Sequence, residues 1–344
     1  MSASRILTAP LLSALLLFSC ASPADSPSPE GPPPRERIPG RWDVTVKTSD
    51  SSYPSWFEIR KTDGGLEGSF VGRGGSARPM ASVSYRNHRL SFHLPVQYER
   101  HTTDLRFEGS WEDNGLGGTT NGEDGAVLHW TAMRAPELAR PGKVYWGEPV
   151  RLFNGRDLSG WKPRHPHALH YWSVENGLLV NTDKGADLMT EREFKDFKLR
   201  LEFRYPEGSN SGVYLRGRYE VQIQDDYGKE PSNIYLAGVY GFLAPSVNAG
   251  RRAGEWQSYE ITLLGRYITV VLNGQTVIQD REIPGITGGA LDSCEGEPGP
   301  ILLQGDHGPI SLRNVELIPA LSDSTRSSGV ESSSRWPTVL KDKS

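Results

Sequence analysis

Asn210-Ser-Gly-Val-Tyr-Leu-Arg-Gly-Arg-Tyr-Glu-Val-Gln-Ile-Gln224 is the stretch that decides the fold of this 344-residue chain. Val213, Leu215, Tyr219, Val221 and Ile223 alternate with Tyr214, Arg216, Arg218, Glu220, Gln222 and Gln224. A period of two places the first set on one face of an extended strand and the second on the other. The apolar face requires a core. The opposite face carries an acid, two guanidiniums, two amides and a phenol, which reads as the floor of a polar-ligand site rather than solvated surface. Gly305-Asp-His-Gly-Pro309 adds an imidazole in a Gly/Pro-bounded loop just before another strand.

Outward from that stretch, the same alternation recurs. In Asp196-Phe-Lys-Leu-Arg-Leu-Glu-Phe-Arg-Tyr205, Phe197, Leu199, Leu201, Phe203 and Tyr205 oppose charged residues. Trp256 to Leu264 and Tyr267 to Leu272 follow, and Asn273-Gly274 is a two-residue hairpin signal leading into Gln275-Thr-Val-Ile278. Ile301-Leu-Leu-Gln304 and Ile310 to Leu317 close the block. No helix of convincing length and period is present. Long antiparallel strands predict two sheets packed face to face.

An earlier block, about 40–138, has shorter strands. Arg41 to Lys47, Trp56 to Arg60 and Leu66 to Val71 (turning at Asp63-Gly-Gly65), Leu90 to Leu94, Leu105 to Trp111 and Val127 to Thr131 repeat the pattern. Regular short strands joined by Gly/Asn/Asp turns predict a small up-and-down barrel or meander, loosely lipocalin-like. It reads equally as a ligand-binding barrel and as a spacer. The fold class is all-β.

The formal net charge is −4 with 23% charged residues and no Lys/Arg-rich run, which excludes a nucleic-acid partner on electrostatic grounds. Arg5 followed by the apolar run Leu11 to Phe18 reads as a targeting segment too short to span a bilayer. Leu17-Phe-Ser-Cys20 resembles a bacterial lipoprotein box, which makes Cys20 the expected lipidation site and membrane anchor. The expected organisation is signal peptide 1–19, Pro/Ser-rich tether 20–39, small β domain 40–138, linker 139–149, sandwich 150–319 and disordered tail 320–344. The expected location is the bacterial cell envelope, lipid-anchored, periplasmic or outer-membrane associated. Cys294 has no adjacent His or Lys to activate it and is expected as a free, passive thiol.

Residues 151–319 resemble the 3-keto-disaccharide hydrolase family. The elements carrying the resemblance run in order: Leu152-Phe-Asn-Gly155 with Leu158-Ser-Gly-Trp161, Trp172 to Leu178, Asp196-Phe to Arg204, then Asn210 to Arg216 and Tyr219 to Gln224. Gly238-Val-Tyr240, Gly254-Glu-Trp256, Leu272-Asn-Gly274 and Gly299 to Gln304 with His307 complete the set. The resemblance implies a concanavalin-like jelly-roll sandwich that cleaves glycosides already oxidised to a ketone at C3. A C3 ketone acidifies the C2 hydrogen, so a base can form an enolate whose collapse expels the C1 substituent, with water adding back. Such a site needs a base near C2, a donor at the C3 oxygen and an acid at the leaving oxygen.

On that basis Glu220 or His307 is the base or the leaving-group acid, and Arg216 is the enolate stabiliser because its charge persists at any working pH. Gln222, Gln304, Asn210 and Tyr240 hold sugar hydroxyls, Tyr214 stacks or donates, and Asp225, at the start of a turn, joins the substrate set. Glu220 and His307 are also candidate ligands for a divalent metal; no cofactor is certain. The resemblance further implies dependence on a sugar 3-dehydrogenase that supplies the keto sugar.

Plainer roles exist for the same residues. Arg216 and Glu220 can pair with neighbouring strands, His307 can cap a turn, and Trp161, Trp172 and Trp256 can be core anchors. His165, His167 and His170 read as a solvated loop more readily than a metal cluster. The main functional rival is a non-catalytic carbohydrate-binding surface lipoprotein. Ordinary glycoside hydrolysis needs two carboxylates across the scissile bond, and this face shows only Glu220 plainly.

Overall fold

Short apolar–polar alternations broken by Gly and Asn turns fold into three antiparallel sheets. The computed structural model describes residues 34–96, 103–112, 115–122 and 125–321. The signal peptide, Cys20 and the tail from 322 lie outside the described residues. Among the described residues the one helix is a 3-10 turn, Pro34–Arg37, and none is long and apolar enough to cross a membrane.

The first sheet holds β1 (Gly40–Lys47), β2 (Ser52–Thr62), β3 (Gly65–Val71), β4 (Arg78–Pro79), β5 (Ser82–Arg86), β6 (Arg89–Leu94), β7 (Leu105–Glu112), β8 (Gly115–Asn121) and β9 (Val127–Arg134). Their order, β4-β3-β2-β1-β9-β8-β7-β6-β5, is an up-and-down meander in which β1 also pairs with β9. Its inward residues form an aromatic core: Phe92 stacks on Phe107 at 4.6 Å, flanked by Trp42, Phe57, Phe70 and Trp130.

The remaining strands are β10 (Tyr145–Trp146), β11 (Val150–Arg151), β12 (Trp161–Pro163), β13 (Trp172–Glu175), β14 (Leu178–Asn181), β15 (Leu188–Thr190), β16 (Phe197–Arg204) and β17 (Asn210–Leu215). After them come β18 (Tyr219–Gln224), β19 (Gln257–Leu264), β20 (Tyr267–Leu272), β21 (Gln275–Glu282), β22 (Leu302–Leu303) and β23 (Ile310–Leu321). One sheet runs β13-β14-β23-β16-β19-β20-β21, with β10 and β11 also on β23; the other runs β12-β15-β22-β17-β18. They pack as the expected jelly-roll sandwich, and their inner residues, including Phe197, Leu199, Leu201, Phe203, Val213 and Val221, share one core. Strict burial alternation along β16 and β19 is the period-two pattern made physical. Asn273 and Gly274 both take positive φ (52° and 82°), as the predicted two-residue hairpin requires.

The opening stretch is a hairpin, not a single strand. β17 and β18 are antiparallel partners joined by Arg216-Gly217-Arg218, with Arg216 at φ 53° and Gly217 at φ 66°. Register pairs such as Val213 with Val221 and Tyr214 with Glu220 share odd or even number. Residues of one parity therefore share one face on both strands of the hairpin, and the alternation is broken only in the turn itself.

The meander and the sandwich belong to one compact unit. Trp56 and Val71 of the meander are counted in the sandwich core, Trp56 meeting Phe242 edge-on at 5.5 Å. Arg41 pairs with Glu282 and Arg140 with Asp280 across the boundary. Tyr145–Trp146, placed in the linker by sequence, pairs with the end of β23. Cys294 is disulfide-bonded, which corrects the expectation of a free thiol.

Candidate active site

The outward face of the β12-β15-β22-β17-β18 sheet floors a cavity of about 1870 Å3. Asn210 and Tyr214 of β17, Glu220 and Gln222 of β18, and Gln304 just past β22 line it. Their side chains share the face left over once Val213, Val221, Ile223 and Leu303 turn into the core. Loops complete the wall with Tyr240, Asp306, His307, Arg164 and Asp187.

Glu220 is the centre of this floor. It is 3% exposed, and burial pushes its carboxyl up to about 8. Tyr214 donates to its Oε2 at 2.9 Å, which opposes the rise, and the Tyr214 hydroxyl lies at the same distance from Gly288 O. Burial and the Glu220 charge hold the Tyr214 phenol well above its usual range, so it remains neutral. The Glu220 backbone is fixed as well: its N–H donates to Thr287 Oγ1 (2.9 Å) and its C=O accepts from Tyr240 N–H (3.0 Å). Gly212 makes room for the carboxyl, since a Cβ there would lie 2.3 Å from Glu220 Oε1.

His307 is half-exposed at the cavity edge, its Nδ1 hydrogen-bonded to Asp306 Oδ1. That bond raises its proton affinity. The His307 charge lowers the Glu220 pKa and the Glu220 charge raises that of His307, so each favours the other's ionised form. Asp187 accepts from Gly305 N–H (3.0 Å) and from Arg164 Nη1 (3.2 Å), with burial holding its carboxyl above the ordinary range. Two amide oxygens on the floor, Asn210 Oδ1 and Gln304 Oε1, are buried without a hydrogen-bond partner among the described residues. Buried acceptors of this kind fit hydroxyl donors from a ligand. Among the described residues no group of three or more His, Cys, Asp or Glu side chains is arranged to hold a metal ion.

Residues 148–318 match the 3-keto-alpha-glucoside-1,2-lyase-like domain family. This segment belongs to that family. A curated relative, the 3-keto-disaccharide hydrolase of Bacteroides thetaiotaomicron, is 23% identical over 37% of this chain and 55% of its own length. The chain thus spans about half the length of the curated relative it matches. Among solved structures, a candidate glycosyl hydrolase from Parabacteroides distasonis is 29% identical, covers 52% of this chain and 92% of its own, and has a TM-score of 0.44. The carbohydrate-binding module CBM66 from Bacillus subtilis is 13% identical, covers 46% and 96%, and has a TM-score of 0.29.

Within this lyase-like domain, seven of the sequence candidates meet around one cavity: Glu220, His307, Asn210, Tyr214, Gln222, Tyr240 and Gln304. Arg216 does not. It sits in the hairpin turn with no exposed surface, its guanidinium donating to Gly265 O (2.8 Å) and the Tyr219 hydroxyl (3.2 Å). The positive φ at Arg216 rotates its side chain out of the strand alternation that sequence reading assumed. Arg218, also on the supposed polar face, is held by both oxygens of Asp292. Asp225 is outside the cavity as well, accepting from Gly208 N–H (2.8 Å) to close the turn before β17. Arg164 and Asp187 were missed because they come from short edge strands and loops without periodic signal. Asp306 lay within the quoted loop, and its place beside His307 was the available clue.

Proposed function

We propose that the sandwich cleaves 3-keto-glycosides by elimination followed by hydration. The observation carrying this reading is a buried carboxyl with a pKa of about 8 on a floor of unpartnered amide acceptors, coupled to an imidazole that favours its ionised form. Glu220, made strongly basic by burial, takes the proton from C2 beside the ketone. The electrons form the enolate, whose oxygen faces the permanent charge of Arg164 on the wall in place of Arg216. The enolate then reforms the ketone as the C1–O bond breaks, leaving a C1–C2 double bond, and protonated His307 gives its proton to the departing oxygen. Water adds at C1 while C2 regains a proton, so the net change is hydrolysis. The family of residues 148–318 and the name of the Bacteroides relative support the substrate class.

The working state is Glu220 ionised with His307 protonated. Because the two groups must be in opposite protonation states, kcat/KM follows a bell-shaped pH profile that belongs to the coupled pair, with burial pushing Glu220 up to about 8 and Asp306 raising His307.

Cleavage of a 3-keto-disaccharide in deuterated water tests the chemistry. The released keto sugar should carry deuterium at C2, and Glu220→Gln should lower kcat by about 10²–10⁴-fold. Release without deuterium points to ordinary hydrolysis; tight binding without release points to a carbohydrate-binding protein.

The same proposal anchors the protein in the bacterial envelope through Cys20, downstream of an oxidoreductase that makes the keto sugar. The chain has two cysteines, so lipidation of Cys20 and an intrachain disulfide to Cys294 exclude each other. Mass analysis of the N-terminal peptide decides between them.

A further inference from the structure

β14 carries a polar residue at a core position. Its burial alternation turns Leu179 and Asn181 inward, and the two are 0% and 1% exposed. A period of two calls for an apolar side chain at the second position as at the first. Asn181 instead aims its amide nitrogen at two carbonyls, Gly305 O (3.1 Å) and Gly308 O (3.2 Å). Its Oδ1 is buried without a hydrogen-bond partner among the described residues. An orphaned buried acceptor is costly, so this amide is placed for its nitrogen and not for packing.

The two carbonyls bracket Asp306 and His307. The His307 ring bonds to Asp306, its neighbour in the same exposed stretch. That bond orients the ring within the loop but leaves the loop's own place in the cavity open. The place is set from behind. Gly305 N–H donates to Asp187 Oδ1 (3.0 Å), and Gly305 O also accepts from Gly185 N–H (2.9 Å). At the far end, Ser209 Oγ donates to Pro309 O (2.6 Å). Each of these holds one end, whereas the Asn181 amide, with two N–H donors on one nitrogen, reaches both. Glycine at each end lets the backbone come this close: a Cβ on Gly305 would lie 2.5 Å from Ala186 O, and one on Gly308 would lie 2.7 Å from Ser209 Oγ.

We infer that Asn181 is the positioning residue of the His307 loop: by joining the loop's two ends it fixes where the imidazole stands relative to Glu220. The inference goes beyond the cleavage proposal but rests on its reading of His307 as the leaving-group acid. An acid out of place protonates the departing oxygen poorly. Proton abstraction by Glu220 is spared, because the bonds that hold Glu220 come from Tyr214, Thr287 and Tyr240.

The test compares two substrates: a 3-keto-disaccharide, whose departing alkoxide needs a proton, and a 4-nitrophenyl 3-keto-glucoside, whose phenolate leaves without one. Wild type, His307→Ala, Asn181→Asp and the double variant are assayed on both. Asn181→Asp keeps the shape but turns an oxygen toward the two carbonyls. It should lower kcat on the disaccharide about 10²-fold, the scale of a misplacement near 1 Å, with little change on the nitrophenyl substrate. In the His307→Ala background it should add no further loss. Equal losses on both substrates, no loss on either, or a loss that adds to that of His307→Ala would make Asn181 a core residue only and overturn the inference. Asn181→Ser keeps one donor and carries the comparison if Asn181→Asp fails to fold. Hydrogen exchange separates this inference from the cleavage proposal. Should wild type cleave neither substrate, or His307→Ala cost nothing, the proposed chemistry fails. Faster amide exchange at 305–308 in the Asn181 variant, with Glu220 and Gln222 unchanged, would still uphold the tie, and unchanged exchange would reject it.

Discussion

The Tyr214 hydroxyl has one proton and two acceptors, each at 2.9 Å: Gly288 O and Glu220 Oε2. When that proton goes to Gly288, a protonated Glu220 can donate to the phenolic oxygen, and when Glu220 ionises the phenol can turn to it. The pair is a two-position proton switch inside the site. The Tyr214 hydrogen bond lowers the Glu220 pKa, so Tyr214→Phe should move the Glu220 limb of the pH–rate profile above about 8. The same change leaves Gly288 O unpaired and should cost about 1–3 kcal/mol in denaturant unfolding. A limb that stays in place would show that Tyr214 does not tune this carboxyl. Folding raises the proton affinity of Glu220, so its favourable contribution is full below its ordinary value of 4.5 and is lost as pH rises through about 8. Glu220→Gln should consequently gain stability over wild type on the alkaline side.

At the scale of elements, the β17–β18 hairpin builds the floor, and its tolerance is set by Gly212. An Ala there would put a Cβ 2.3 Å from Glu220 Oε1, so the carboxyl has to move. Gly212→Ala should reduce kcat about 10²-fold, the scale expected for a misplacement near 1 Å, with KM less affected. Wild-type kcat in that variant would mean that Glu220 is not positioned by the hairpin. This hairpin also marks how far the sequence could be read. Periodicity identified Tyr214, Glu220 and Gln222 because strand alternation assigns faces without knowledge of the turn. It misplaced Arg216 because a residue in a left-handed turn no longer obeys that alternation. Arg164 and Asp187 were illegible for another reason. They meet Glu220 only through tertiary packing, and no local pattern encodes which loop ends converge.

For the whole molecule, the boundary between meander and sandwich is charged at its centre. Asp43 of β1 is buried, and its carboxyl is pushed well above the ordinary range by burial first, then by Glu295 on the sandwich. Glu295 itself has no exposed surface and pairs with Arg266 at 2.6 Å. The Asp43 contribution is full below its unfolded pKa and is lost as pH rises through its raised folded value. Asp43→Asn should therefore flatten the fall in melting temperature toward alkaline pH, gaining roughly 2–4 °C for each kcal/mol recovered. Melting curves that keep the wild-type pH dependence would remove Asp43 from the account.

Trp56 makes the same boundary a shared liability. A Cβ on Gly285 would lie 2.2 Å from its indole nitrogen, so the sandwich carries a notch shaped by a residue of the other domain. Emptying such a slot by Trp→Ala costs about 3–5 kcal/mol, a large part of a domain's stability. Removing the meander would leave the sandwich with a hole at this notch, so the sandwich expressed alone should melt below the full chain. Filling the notch with a side chain at Gly285 would push Trp56 out of the shared core and loosen both halves together.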